Sequence, residues 1–326
     1  MELPLIPPML ATPGTLPPAG QDARWAYETK QDGQRVVVYL PGDGSVLLRA
    51  RSGQDITAAY PELAPLAAAL GDTAAVLDGE VLALDERGRA DFQLLQSRMG
   101  LAHAPGRAAH RAAKAPVHLV LFDALHLAGR SLLRLPYTAR RERLTDLALN
   151  GPSWSTPAAL VGHGEQALRA TREHGLEGLV CKRLDSVYEP GVRSRAWIKI
   201  RNMRSEDVVV GGWLPGKGRL GGLPGAVLVG QRAAGRLRYV GGVGTGWSAG
   251  ERAELAELLT AAATDVCPFD PVPRVPGARW VVPRLVGEVR YSTRTREGML
   301  RQPSWLRLRP DLAPEESAAD LPDDLV

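Results

Sequence analysis

The spacing of apolar segments changes near residue 203, and this change limits the chain to a two-domain protein rich in β-structure. Before that point, apolar strands alternate with short helical segments, and an Asp-Gly turn joins two of the strands as a hairpin. After it, the strands are short and lie between Gly-rich turns. Since 326 residues are enough for two cores, we expect domains over 1–203 and 204–312, followed by an acidic tail over 313–326.

The same patterns predict the elements of each domain. The strands expected in the first domain are 24–30, 35–40, 46–51, 75–84, 117–125, 178–183 and 197–201, and the helices are 61–70, 92–99, 138–149 and 165–174. The strands expected in the second domain are 207–213, 226–231, 236–241, 280–283 and 286–291, and its helix is 249–263. Five short strands and one helix are typical of a small barrel of the oligonucleotide-binding type. The predicted fold class is therefore α+β.

Composition excludes several classes of protein. Apolar residues make up 44% and charged residues 23% of the chain, as in a protein with a packed core, which excludes disorder throughout. No stretch approaches the ~18 uninterrupted apolar residues that a membrane span requires. Prolines interrupt the apolar N-terminus and only two cysteines are present, so we expect no signal peptide and no disulfide framework. These features predict a cytoplasmic protein.

Lysine is scarce in this chain. Only five of the 40 basic residues are lysines, and these are Lys30, Lys114, Lys182, Lys199 and Lys217. Arginine therefore occupies the general surface positions. Each remaining lysine is a candidate for a role that needs a compact ammonium group or a titratable amine.

One of these lysines lies in a compact charged motif. Lys30 ends a predicted strand directly before the Asp32-Gly33 turn, and Arg35 completes the pattern Lys-x-Asp-Gly-x-Arg. An ordinary Asp-Gly turn with a surface lysine is the common explanation for such a segment. A lysine nucleophile must lose a proton, which neighbouring cations and desolvation promote. If Lys30 is a nucleophile, the chemistry predicts more cations and a divalent metal site elsewhere in the chain.

Three later strands carry such groups. Asp78–Glu80 supplies two carboxylates, and Glu177–Lys182 has a carboxylate at one end and a cation at the other. Trp197–Arg201 alternates cations with apolar residues, so both cations project from one face of a strand. Each segment alone is typical of a solvated strand edge. Together they suit a nucleoside triphosphate with Mg²⁺ or Mn²⁺, because such ions prefer oxygen ligands.

In this order, the motifs resemble those of the covalent nucleotidyltransferases, and most closely those of ATP-dependent DNA ligases of the bacterial end-joining type. The segments that carry the resemblance are Lys30–Arg35, Arg51–Gly53, Asp78–Glu80, Phe122–Asp123, Glu177–Lys182 and Trp197–Arg201. Further similarity lies at Pro8–Ala11, and in the second domain at Val243–Gly246 and Glu288–Tyr291. The resemblance therefore extends over nearly the whole chain.

The resemblance implies a fold and an activity. The fold would be α+β, with an antiparallel-rich, ATP-grasp-like adenylyltransferase domain followed by an oligonucleotide-binding β-barrel. The activity would be ATP-dependent sealing of nicked or broken duplex DNA, in repair or end joining, by a monomer associated with the nucleoid. Whether Ku or a separate polymerase is a partner stays open.

The family pattern also implies a role for individual residues. Lys30 would attack the α-phosphate of ATP and hold AMP, which would pass to a 5′-phosphate and then be displaced by a 3′-hydroxyl. Glu28 would accept a hydrogen bond from the adenine amino group. Phe122 would stack on the purine, although a core position on a buried strand is the common alternative. Glu80 would contact the ribose and, together with Glu177, would hold the metal.

Arg35 and Arg51 would bind the phosphates of ATP or of the nick. Lys182 and Lys199 would neutralise the α-phosphate, and Arg201 would also bind ATP. Two positions depart from the family pattern. Arg201 stands where a lysine is usual, and Arg309–Leu312 lacks the final lysine of the usual Arg-x-Asp-Lys motif. Arg309 is the candidate cation for the departing pyrophosphate, with Asp311 orienting it or its neighbours, and Leu312 cannot substitute for the missing lysine.

The segment 284–309 is strongly basic. It holds seven arginines against two acidic residues, with Tyr291 and Trp305 among them. A solvated pair of basic strands is one explanation. Beside a nucleotidyltransferase domain, binding of DNA phosphates is the better one. The residues predicted to make these contacts are Arg290, Arg294, Arg296 and Arg301.

Two other functions stay open. RNA ligases and capping guanylyltransferases share the Lys30 motif, although Glu28 and the basic second domain favour adenine and DNA. A non-catalytic protein that binds DNA ends is the third possibility. The presence of both Lys30 and Glu177 argues against it, because such a protein needs neither a nucleophile nor a metal ligand.

Overall fold

The computed structural model describes residues 3–86 and 88–316, and it forms two compact units. The first unit ends at Asn202 and the second begins at Met203. Most of the expected acidic tail, residues 317–326, lies outside the described residues. Within the part of the chain that the structure describes, no helix has both the length and the apolar character needed to cross a bilayer.

The described part of the first unit contains eleven strands and five α-helices. The strands are β1 (Leu10–Pro13), β2 (Trp25–Thr29), β3 (Gln34–Leu40), β4 (Leu47–Ala50), β5 (Ala75–Ala83), β6 (Val117–Leu127), β7 (Arg130–Ser131), β8 (Trp154–Ser155), β9 (Leu160–Val161), β10 (Gly178–Arg183) and β11 (Arg193–Arg201). The helices are α1 (Leu66–Leu70), α2 (Phe92–Gln96), α3 (Pro105–Ala112), α4 (Tyr137–Asp146) and α5 (Gly164–Glu173).

These strands form two sheets. One has the order β1-β11-β10-β2-β9, and the other has the order β4-β3-β5-β6-β7 with β8 paired to β6. All pairings are antiparallel except β1 with β11 and β6 with β8. Apolar residues of both sheets, including Tyr39 and Phe122 from the second and Trp197 from the first, share one buried cluster. The two sheets therefore face each other, and polar groups at their facing surfaces are brought together.

The described part of the second unit contains six strands and one α-helix. They are β12 (Arg204–Pro215), β13 (Pro224–Ala233), β14 (Arg236–Val243), α6 (Ala249–Ala261), β15 (Ala263–Thr264), β16 (Arg279–Tyr291) and β17 (Ser304–Leu308). The strands form one antiparallel sheet of order β14-β13-β12-β16-β15, with β17 paired to β16. Helix α6 begins at a capping box in which Ser248 and Glu251 each accept the other's backbone N–H. The predicted α+β class is confirmed.

The sequence patterns misjudged several elements, and the short strands β1, β7, β8, β9 and β15 were not predicted. The two strands expected at 280–283 and 286–291 are one strand, β16, whose register shifts opposite Gly211. Pro283 suggested a break because proline has no N–H for the ladder, but a bulge accommodates such a residue within a strand. Strand β17 was not predicted at all. The helix expected over 61–70 is split into a 3₁₀ turn at Pro61–Leu63 and the short helix α1.

A buried ion pair fixes helix α4 against the second sheet. Arg140 and Asp123 are both fully buried, with Nε 2.8 Å from Oδ1 and Nη2 2.9 Å from Oδ2. The remaining guanidinium nitrogen donates to the carbonyl oxygens of Leu135 and Ser186. Because both charges are out of water, removal of one leaves the other uncompensated in a medium of low dielectric constant.

We expect the variant Arg140→Met to lower the free energy of unfolding of the first unit by about 3–5 kcal/mol, since it leaves the Asp123 carboxylate buried without the arginine that pairs with it. Denaturant unfolding measures this effect. The matched control is Arg183→Met, because Arg183 and Asp185 form an exposed pair with a similar contact of 2.6 Å. That variant should lose less than about 1 kcal/mol. Equal losses in the two variants would contradict this account.

Candidate active site

A cavity of about 490 Å³ lies in the first unit, between its two sheets. Residues of β2, β10 and β11 line it from the first sheet, and residues of β3, β5 and β6 line it from the second. The turns after β2 and β4, together with Leu10 and Ala11 of β1, Phe92 of α2, and Met99, complete its wall. Lys30 lines this cavity, together with eight of the predicted ATP-binding residues: Glu28, Arg35, Arg51, Glu80, Phe122, Lys182, Lys199 and Arg201. Glu177, a predicted metal ligand, contacts Lys30.

The strand register explains why charged residues share this surface. In the first sheet Val180 of β10 lies between Glu28 of β2 and Lys199 of β11. Two residues further along β10, Lys182 lies opposite Trp197. Side chains two positions apart on a strand point to the same face, and directly paired residues also share a face. The predicted motifs of three strands therefore meet on one face of the sheet.

Lys30 follows β2 directly, and its backbone N–H donates to the carbonyl oxygen of Gly178 across 2.9 Å. Its Nζ lies 2.5 Å from Oε2 of Glu177, and the other oxygen of Glu177 lies 3.2 Å from Nε of Arg201. Gly178 has a φ of +143°, and a Cβ there would lie 2.0 Å from the carbonyl oxygen of Ile200, so the position requires glycine. The predicted nucleophile is thus held by a carboxylate that also binds a second cation.

Glu80 is the second carboxylate beside Lys30. It lies directly opposite Arg35 on the neighbouring strand, and its Oε1 accepts from the N–H of Gly33 across 3.1 Å. Burial raises the pKa of Glu80 to about 7, although Arg35 and Lys30 oppose the shift and Glu177 adds to it. The two carboxylates are therefore close enough to interact electrostatically.

Glu80 and Glu177 were predicted to hold a divalent metal. Among the residues that the structure describes, no three His, Cys, Asp or Glu side chains are grouped as a metal site. Mg²⁺ often binds through only one or two carboxylates, with phosphate oxygens and waters as its other ligands. The pair of carboxylates next to Lys30 fits that smaller donor set, in which a nucleotide supplies the rest.

Cations crowd the same cavity. Lys199 and Arg201 line it from β11, and Arg51 lines it from the turn after β4. Burial lowers the pKa of Lys199, and the neighbouring cations lower it further. Like charges this close are unfavourable unless an anion binds among them. The cluster therefore fits a polyphosphate.

Phe122 occupies a bulge in β6. Leu121 pairs with Gly79 and Asp123 pairs with Asp78, so Phe122 is the extra residue between them. Bulges of this kind redirect a side chain and occur beside active sites. Phe122 lines the cavity as predicted for a residue that stacks on a purine, and the guanidinium carbon of Arg35 lies 4.5 Å from its ring centre.

Arg35 is already engaged by a carboxylate. Its Nε and Nη2 each lie 2.6 Å from one oxygen of Asp78, and the Tyr188 hydroxyl donates to the same carboxylate across 2.5 Å. Arg35 also lines the cavity. Its predicted contact with phosphate stays a prediction, and Asp78 fixes the orientation of the guanidinium that would make it.

Lys182 has an unexpected environment for a residue predicted to neutralise the α-phosphate. Only 1% of it is exposed, and its Nζ lies 2.6 Å from Oε2 of Glu28. Its charge is therefore compensated before a nucleotide binds. The contact of Lys182 with phosphate stays a prediction, and its contact with Glu28 links two residues whose sequence motifs predict contacts with different parts of ATP.

Sequence reasoning missed two residues at this site, Arg193 and Tyr137. Arg193 lines the cavity from β11, and its even spacing from Lys199 along the strand was a usable signal. Tyr137 donates its hydroxyl to Oε1 of Glu28 across 2.5 Å. No local pattern connects Tyr137 with Glu28, because they are 109 positions apart.

In the second unit, the predicted DNA-binding arginines differ in environment. Arg290 and Arg296 are exposed, and Arg301 is partly exposed. Arg294 instead forms an internal network in which it pairs with Glu206 and donates to Gln231 across 2.6 Å. Charge pattern could not separate these cases, because Glu206 lies on β12, far away in the sequence. The structure thus gives Arg294 a clear role inside its own unit.

Arg309 is held by two carboxylates. Its Nε and Nη2 bind Asp311 at 3.0 and 2.8 Å, and its Nη1 binds Asp207 at 2.9 Å. These contacts raise the pKa of Arg309, led by the hydrogen bond with Asp311. The expectation that Asp311 orients Arg309 therefore has a geometric basis, whereas Leu312 offers no charge.

Comparison with known families gives a consistent result over most of the chain. Residues 8–201 match the family model for the ATP dependent DNA ligase domain, and residues 221–312 match that for the ATP dependent DNA ligase C terminal region. The multifunctional non-homologous end joining DNA repair protein LigD of Mycobacterium tuberculosis is 45% identical over 313 residues, which are 95% of this chain. The aligned region is 39% of that protein, so this chain spans about two fifths of its length.

Solved structures agree with the sequence relatives. The ligase domain of M. tuberculosis LigD is 42% identical, with a TM-score of 0.56, and the match covers 97% of this chain and 98% of that one. A Lig E DNA ligase, 22% identical with a TM-score of 0.60, shares the fold over 94% of this chain. A DNA ligase of Thermococcus onnurineus is 32% identical over 90% of this chain and 53% of its own length. The predicted family and fold class are confirmed, and the chain belongs to the ATP-dependent DNA ligases.

Proposed function

We propose that this chain seals nicks in duplex DNA through a covalent intermediate in which AMP is bound to Lys30. The observation that carries the proposal is the position of the Lys30 side chain. It lines the cavity among a cluster of cations, and its Nζ lies 2.5 Å from the Glu177 carboxylate. A lysine beside cations and carboxylates can give up its proton and attack a bound phosphate ester.

The proposed reaction has three steps. The Lys30 nitrogen forms a bond to the α-phosphorus of ATP, and pyrophosphate leaves. The 5′-phosphate at the nick then attacks the same phosphorus, which forms a 5′–5′ pyrophosphate link to AMP and frees Lys30. The 3′-hydroxyl finally attacks the 5′-phosphate, a phosphodiester forms and AMP leaves.

Within this proposal, each part of the cavity has a task. Glu28 accepts from the adenine amino group and Phe122 stacks on the base. Lys199, Arg201 and Arg51 bind the phosphates, as planar or compact cations can. Glu80 contacts the ribose and joins Glu177 in holding Mg²⁺ or Mn²⁺. Such an ion would neutralise charge on the phosphates.

The wider setting is also a proposal. The LigD relatives are named for non-homologous end joining, and this chain corresponds to about two fifths of their length. We propose that the chain acts in the repair of broken chromosomal DNA, in the cytoplasm. Ku or a separate polymerase would then act on the same ends.

The first test concerns the nucleophile. Lys30→Ala should form no covalent AMP adduct, because no other amine occupies its place, while nick binding should persist through dispersed phosphate contacts. The measurement is a denaturing gel after incubation with labelled ATP and Mg²⁺. Lys114→Ala, which changes an exposed lysine of the same unit, is the control and should label normally. An adduct on the Lys30→Ala protein would refute the assignment, and labelling by GTP in preference to ATP would favour a capping-type enzyme.

The second test separates DNA contact from structural support in the basic segment 284–309. Arg290→Ala should weaken binding to a nicked duplex and reduce the slope of log K against log salt by roughly one unit. Arg294→Ala should instead lower the melting temperature, because it removes the cation that pairs with Glu206 and leaves that carboxylate with only neutral donors, Gln231 and Tyr291. Fluorescence anisotropy at several salt concentrations and thermal unfolding give the two readouts. An unchanged slope for Arg290→Ala would mean that this arginine does not contact DNA.

The third test concerns Arg309, which we propose stabilises the departing pyrophosphate. Since charge develops there only in the first step, Arg309→Ala should slow adduct formation at least tenfold, or about 1.4 kcal/mol. Sealing of a nick that already carries 5′-AMP should change little. Arg307→Ala, which changes an exposed neighbour paired with Glu288, is the control for adduct formation. Equal slowing of both steps by Arg309→Ala would argue for a role in DNA binding or folding.

A further inference from the structure

Glu28 is held at both oxygens by residues of other elements. The Tyr137 hydroxyl, at the start of α4, donates to Oε1 across 2.5 Å, and the Lys182 ammonium, on β10, lies 2.6 Å from Oε2. Arg141 is one helical turn beyond Tyr137, and its Nη1 lies 3.9 Å from Oε1. Tyr137 is 2% exposed and is absent from the residues that line the cavity. Its hydroxyl therefore acts on Glu28 and not on a bound nucleotide.

Lys182 is enclosed by aromatic rings as well as by Glu28. Its Nζ lies 4.3 Å from the ring centre of Trp197, 4.5 Å from that of Phe122 and 5.3 Å from that of Tyr137. Distances below about 6 Å allow each ring face to attract the cation. Movement of a buried ammonium out of such a cage toward another anion would give up its contact with Glu28 and leave Arg141, at 3.9 Å, as the cation nearest to that carboxylate. The cage therefore fixes Lys182, and Lys182 fixes Glu28.

We infer that Tyr137 and Lys182 are positioning residues that hold Glu28 as an ionised acceptor for the 6-amino group of the purine. The inference rests on the proposed function, in which Glu28 contacts the base. Neither residue has been assigned this role by the sequence motifs, which placed Lys182 at the α-phosphate and did not include Tyr137.

The chemistry of the two oxygens makes this arrangement selective. Each carboxylate oxygen has two lone pairs, so Glu28 can accept from the base while it still accepts from Tyr137 and Lys182. An amino group at position 6 donates to such an acceptor. A 6-oxo group presents another acceptor, which the carboxylate repels. Selection between them lasts only while Glu28 stays ionised and correctly oriented, and these are the two properties that its partners supply.

The test compares two nucleotides in adduct formation, ATP and purine riboside triphosphate, which lacks any group at position 6. Tyr137→Phe removes one hydroxyl and keeps the ring. We expect kcat/KM for ATP to fall about tenfold, mostly through KM, because a hydrogen bond that orients a charged group is lost. For purine riboside triphosphate the change should be less than about twofold, since that nucleotide makes no use of Glu28.

Tyr39→Phe is the matched control. The Tyr39 hydroxyl is also buried and hydrogen-bonded, but to the N–H of Ile6, and it does not line the cavity. The ratio of the two nucleotides should stay at the wild-type value in this variant. A second variant, Lys182→Gln, should lower the preference for ATP over GTP at least fivefold, because Glu28 loses the nearer of its two counter-charges.

The outcomes are distinct. A Tyr137→Phe protein that loses activity equally with both nucleotides would overturn the inference, because a purely structural defect acts on both. An unchanged ATP preference in both Tyr137→Phe and Lys182→Gln would overturn it as well. The absence of any adduct with the wild-type protein would instead refute the proposed function.

Discussion

Glu177 joins Lys30 to Arg201 through its two carboxylate oxygens, at 2.5 and 3.2 Å, and the rest of the site is arranged around that contact. Charges in a half-buried cavity need partners, because the energy of an uncompensated charge rises as water is removed. Glu177 meets this need for two cations at once. In the proposed function, a phosphate can replace the carboxylate as the partner of either cation, so the site is organised for an anion.

The same requirement shapes the surrounding structure. Asp123 with Arg140 and Asp78 with Arg35 each join residues that are far apart in the chain. Each pair fixes a segment that lines or supports the cavity. Tight pairing of this kind orients side chains before the nucleotide arrives, and less ordering remains to be done on binding.

The sequence predicted those parts of the site whose residues are neighbours in the chain or on one strand. The segment Lys30–Arg35 is contiguous, and the alternation along Trp197–Arg201 follows from the pleat of a strand. Tyr137 and Lys182 are different, because their contacts with Glu28 depend on how α4 and β10 pack. In the second unit, Pro283 suggested a strand end where the sheet contains a bulge, and the charge of Arg294 gave no hint of its partner Glu206. Local patterns define elements and candidate groups, whereas pairings between distant elements need the fold.

The scarcity of lysine in the sequence made both Lys30 and Lys182 candidates for special roles, yet their environments in the structure differ. Lys30 has 17% of its side chain exposed, lines the cavity and has the Glu177 carboxylate as its partner. Lys182 is 1% exposed and is enclosed by three rings and Glu28. A nucleophile must shed a proton and move toward phosphorus, which the first environment permits and the second prevents. In the proposed function, the scarce lysines therefore have two different uses: the amine of Lys30 reacts, and the charge of Lys182 holds a neighbouring carboxylate in place.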